Sequence, residues 1–183
     1  MAYEVPALGT AGQVYTAAAH NIIVNDVLSF RDNTGVVPAI CKVRRAANQS
    51  IPTGDDTFII WDTEEIDTNA MFAASSDTVT IKTAGVYQVS LNVFFASSST
   101  GQRIAWVTKN PAGFGVTTAF AMSWVLPAVS GSVLSCSGLT SFAVNDTIKC
   151  VVHQTQTTSL NITDTGNFTA ATNLSVVMLG ATT

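Results

Sequence analysis

Apolar and polar residues change rhythm once along this chain. In the first stretch one segment repeats at helical spacing. Thr16 stands as a cap, and Ala19, Ile23, Val27 and Phe30 fall on one face of the run that follows, with Gly35 as a stop. So short a helix is marginal alone, and its stripe needs another surface. From about Val37 the period becomes two. Val37 to Arg44, Phe58 to Trp61 and Thr78 to Lys82 read as strands, and Thr83-Ala84-Gly85 as a turn. The clearest strand follows. Tyr87, Val89, Leu91, Val93 and Phe95 point one way, and Gln88, Ser90 and Asn92 the other. Phe94 and Ala96 interrupt the polar side, as expected where a strand end is packed on both faces.

Further strands are predicted at Ile104 to Thr108, Thr117 to Leu126, Gly131 to Gly138, Thr147 to Gln154, Leu160 to Thr163 and Asn173 to Leu179. Lys109-Asn110-Pro111 and Asn145-Asp146 are turns between them. Many short strands with no helix after Arg31 exclude a parallel α/β fold and point to an all-β, antiparallel sandwich. The expected division is an N-terminal arm with its helix over 1–36 and a β-domain over 37–183.

Composition sharpens this picture. Of 183 residues, 47% are hydrophobic and 11% charged, against about 25% charged in ordinary soluble domains. Mean hydropathy is +0.34. No stretch approaches the ~20 apolar residues of a membrane helix, so surface hidden against partners is the expectation. A net charge of −4 argues against binding nucleic acid through phosphates. The first residues carry no basic and then apolar run, so no secretory signal is read there. Cys41, Cys136 and Cys150 form no CxxC pair and are expected as buried free thiols in a protein assembled in a reducing cytoplasm.

The pieces also come in a familiar order. Asn48-Gln-Ser-Ile-Pro precedes Phe58-Ile-Ile-Trp-Asp-Thr-Glu-Glu-Ile-Asp. Then come Thr83-Ala-Gly-Val-Tyr-Gln-Val-Ser, Gly131-Ser-Val-Leu-Ser-Cys-Ser-Gly-Leu, the Asn145-Asp146 turn with Thr147-Ile-Lys-Cys-Val-Val, and a closing Leu174-Ser-Val-Val-Met-Leu-Gly. In that order they resemble the C1q/TNF-like jelly roll in the version found in phage virion proteins, over about three quarters of the chain. No Gly-X-Y stalk accompanies them. The resemblance implies a compact homotrimer in which one sheet of each sandwich packs toward a threefold axis. Tyr87, Val89, Leu91, Phe94, Phe95, Phe142 and Val177 are the expected trimer interface and core. It further implies a virion location, as a capsid decoration (cement) protein on the outer capsid surface. There the arm would grip the major capsid protein through Tyr3, Val5, Tyr15, Ile23, Val27 and Phe30. The alternative is a head-fibre or tail-tip adhesion module that recognises a host surface glycan or protein.

Candidate chemistry is sparse. Asp55, Asp56, Asp62, Glu64, Glu65 and Asp67 make up six of the 12 acids. Asp62, Glu64, Glu65 and Asp67 are the candidate calcium ligands, set against a solvated loop or a charged contact to a capsid partner. His20 and His153 form no zinc pattern. Cys150 and His153, three apart on a strand, face opposite sides and make a poor nucleophile pair. No GxSxG, P-loop or dinucleotide fingerprint occurs, so no enzymatic activity and no cofactor are expected. Arg44 and Arg45 read as surface charge at a strand end. Trp61, Trp106 and Trp124 read as core or interface, with a sugar-stacking platform as the rival.

Overall fold

The computed structural model describes residues 38–114, 118–162 and 172–180. Among these residues every regular element is a strand and no α-helix occurs. The predicted helix at Thr16 to Phe30 and the arm residues Tyr3, Val5, Tyr15, Ile23, Val27 and Phe30 lie outside the described residues.

The strands form two antiparallel sheets. The larger contains β1 (Ile40–Arg44), β2 (Gln49–Ile51), β4 (Thr63–Asp67), β6 (Gly85–Phe95), β9 (Ser132–Phe142), β11 (Leu160–Ile162) and β12 (Asn173–Gly180). Its order is β2-β11-β6-β12-β1-β4, with β9 paired to β6. The smaller contains β3 (Thr57–Phe58), β5 (Thr78–Thr80), β7 (Arg103–Lys109), β8 (Ala119–Val125) and β10 (Thr147–Gln154), in the order β3-β10-β7-β8, with β5 also on β10.

The alternation read along β6 holds at every residue. Tyr87, Val89, Leu91, Val93 and Phe95 are at most 1% exposed. Across the ladder Leu174, Val176 and Met178 of β12 stand opposite Leu91, Val89 and Tyr87 and extend the same buried face. Facing them from the other sheet are Ala105, Val107, Ile148, Cys150 and Val152. Gln154 ties the sheets together at one end: its buried Nε2 donates to the carbonyls of Ile51 and Thr158, each at 3.1 Å. The turns predicted around Asn110 and Asn145 stand, whereas Gly85 of the third is already the first residue of β6. Asn110 and Asn145 both take positive φ (47° and 72°), which asparagine tolerates. Asn110 Oδ1 accepts the Thr147 amide at 2.6 Å, and Asp146 Oδ2 the Ala143 amide at 2.7 Å.

Three readings need correction. Phe58 to Trp61 is not one strand. Only Thr57–Phe58 pairs with β10, while Trp61 makes a single bridge to Ser76. Ile59 adds one amide bond to the Cys150 carbonyl at 2.9 Å before the chain turns to Ser76, and burial of Ile59 and Trp61 in the core imitates the pattern of a longer strand. The acidic stretch is not simply a loop, since Thr63–Asp67 is β4, hydrogen-bonded to β1 at the sheet edge. Strand β9 runs past Gly138 to Phe142 because β6 offers it a full-length partner.

Candidate functional site

The outward surface of the large sheet has two halves. On β6, β9 and β12 the outward positions are Val86, Gln88, Ser90, Asn92 and Phe94, then Val133, Ser135, Ser137, Leu139 and Ser141, then Ser175 and Val177. None is charged. Ser135 donates to Asn92 Oδ1 at 2.6 Å, and Asn92 Nδ2 donates to Asn173 Oδ1 at 3.4 Å. This short chain fixes the amide of Asn92 and leaves a neutral surface. At its end the ring of Phe94 lies over Gly131, whose φ is +93° and where a Cβ would sit 2.5 Å from the ring. Only glycine turns the chain there and clears the ring. The neutrality extends further. Between Lys109 and Asp146 the sequence has no Asp, Glu, Lys, Arg or His. Met122, Trp124, Leu126, Val129, Val133 and Leu139 of that span are 55–78% exposed.

The other half, β1 and β4, is charged and self-compensated. Glu65 bridges Lys42 at 2.7 Å and Arg44 at 3.3 Å. Arg45 is no free surface charge: it donates to the carbonyls of Ala47 at 2.7 Å and Ile60 at 2.9 Å and lies 3.4 Å from Asp62. Asp62 accepts the amides of Ala46 at 2.7 Å and Ala47 at 2.9 Å. Burial opposes its ionisation, but those amides, the Thr63 hydroxyl and Arg45 outweigh it and hold its carboxyl below the ordinary value. Asp67 accepts the amides of Asn69 and Phe72. The candidate calcium ligands are thus engaged one by one in local structure, Glu64 excepted. Among the described residues no three acidic, histidine or cysteine side chains gather as a metal site.

Of the residues expected at the trimer interface or core, Tyr87, Val89, Leu91, Phe95 and Phe142 lie inside the sandwich. They are core of the single chain and offer no surface to a neighbour. Phe94 and Val177 face outward and are half-buried. The tryptophans separate in the same way. Trp61 is core at 0% exposed, Trp106 is covered at 2%, and Trp124 is open at 56%.

The three thiols are all held in their protonated form. Burial pushes Cys41 up to about 12, with Asp67 and Glu64 adding to it, and burial alone takes Cys136 to about 11. Cys150 is raised well above its ordinary value by burial, then by Cys136. Cys150 points into the core and His153 outward, as their spacing implies. The histidine's partner is one that sequence reasoning missed: Nδ1 lies 2.8 Å from Asp56 Oδ1. The two residues are 97 apart, and no local pattern announces the pair. Among the described residues no hydroxyl or thiol bonds to His153, so the pair lacks a nucleophile. Arg103 is 0% exposed and makes no described ion pair. It donates to the carbonyls of Gln102 and Thr100 and lies 5.8 Å from the centre of the Phe95 ring, while its Nε has no acceptor among the described residues.

Two packed antiparallel sheets in this order form a jelly roll of the TNF/C1q-like kind. Among solved structures, murine APRIL at pH 8.5 superposes with a TM-score of 0.58 at 15% identity, over 78% of this chain and 99% of that one. The globular domain of zebrafish complement 1qA protein gives 0.55 at 11% identity, over 79% and 99%. Eiger TNF from S. frugiperda gives 0.58 at 9% identity, over 80% and 95%. At such identities the likeness establishes the fold alone. No family model and no curated protein matches the sequence.

Proposed function

We propose that this chain is a non-catalytic virion structural protein, a homotrimer that decorates the outer capsid surface and stabilises the shell. The observation that carries self-association is the neutral half of the large sheet. A charge-free face that carries exposed Val133 and Leu139 among its serines avoids the large cost of burying charge and repels no copy of itself. A standard interface of about 800 Å2 per partner, at ~25 cal/mol per Å2 of its apolar part, supplies ample drive before association costs. The virion setting rests on the sequence resemblance. Arm residues 1–36 then serve as the grip on the major capsid protein, and binding to the assembled shell stabilises it by mass action.

The test has two parts. Native mass spectrometry of the full chain should give three copies. Deletion of 1–36 should keep the trimer and abolish binding to purified shells. A dilute monomer refutes the trimer, and shell binding by the truncated chain refutes the arm's role.

A further inference from the structure

The small sheet's outward surface is untouched by the proposed self-association. Its ladder sets His153 of β10, Ile104 of β7 and Trp124 of β8 side by side in one row, and Val151, Trp106 and Met122 in the next. At about 4.8 Å per strand, Trp124 and His153 stand roughly two strand spacings apart, with Ile104 as the floor between them. We propose that this row is a subsite for a neutral pyranose, stacked on Trp124 and hydrogen-bonded by His153 and Asp56.

The chemistry is that of sugar recognition. A pyranose offers an apolar C–H face and a rim of hydroxyls. Trp124 offers an open ring, 56% exposed. A carboxylate only accepts, so Asp56 Oδ1 at 2.8 Å fixes the proton on His153 Nδ1. That leaves Nε2 free to accept a hydroxyl. Asp56 Oδ2 takes no hydrogen bond from the described residues and is a second acceptor at the same rim. The Asp56 carboxylate and the lack of any Lys or Arg on β8 or in the row exclude anionic sugars. A lipid surface is disfavoured for the same reason, since the carboxylate would be buried against it.

The test uses the full-length protein and the methyl pyranosides of glucose, galactose and mannose at millimolar concentration, with methyl glucuronide as the anionic control. Saturation-transfer NMR should show contact with at least one neutral glycoside through its C–H face and none with the glucuronide. Trp124→Ala should abolish the transfer and Trp124→Phe should restore it in part. Asp56→Asn and His153→Ala should weaken it about tenfold, and Ile66→Ala on the other sheet should leave it unchanged. Absence of transfer from every neutral glycoside, preference for the glucuronide, or transfer that survives Trp124→Ala in a protein of unaltered circular dichroism overturns the proposal. The readout involves neither shell binding nor copy number, so its failure is separate from that of the decorating role.

Discussion

Strands β4 and β8 each stand last in the hydrogen-bonded order of their sheets, and their side chains are opposite in character. Strand β4 carries Glu64, Glu65 and Asp67, with Glu65 held by Lys42 and Arg44. Charge on an edge strand discourages another chain from adding to it. Strand β8 has no charge and leaves Met122 and Trp124 more than half exposed. One edge is closed to partners, and the other lies in the charge-free span that also supplies β9. Charge therefore marks the side of the molecule kept solvated, and its absence marks the side suited to contact.

Moving a charge tests that contrast most severely. Ser137→Arg on the neutral face should convert the trimer to monomers in native mass spectrometry, since like charges brought together at an interface cost several kcal/mol. Ile66→Lys on β4 should leave the copy number unchanged. Second, Asp62→Ala on the charged side should lower stability by about 1–3 kcal/mol in urea unfolding, because two amides and Arg45 lose their acceptor. Third, acid should act through the same group. The carboxyls of Asp62, Asp77 and Asp146 are held below their ordinary values. In each, burial is outweighed by hydrogen bonds and a neighbouring cation. A depressed native value means that their stabilisation is complete above the unfolded value of about 3.9 and is lost as pH falls through the native one. The urea midpoint should therefore hold from pH 7 to 5 and fall below about pH 4, and Asp62→Asn should flatten that fall. The smallest effect belongs to Glu65→Gln. An exposed pair is worth about 0–1 kcal/mol, so the midpoint should barely move.

What was legible in the sequence follows from locality. The two-residue alternation of β6 and the asparagine turns at 110 and 145 are written in neighbouring residues, and they appear as read. The edge strand β4 was legible only as a run of acids, because a strand that borrows its ladder from β1 need not alternate. The split between core and surface among the expected interface residues was hidden as well. Period two says that Tyr87 and Gln88 face apart, but not which face meets the second sheet and which a neighbour. The His153–Asp56 pair depends on chain segments that only the completed fold brings together.

The silence of the three cysteines has a practical side. Thiolates, not thiols, attack maleimides, and Cys41, Cys136 and Cys150 are all held far from ionising at neutral pH. A single cysteine introduced on an exposed loop, for instance in place of Thr157, should then take a dye well ahead of the three native ones. The wild-type chain is thus expected to label slowly with maleimide at neutral pH, which a dye-uptake time course checks.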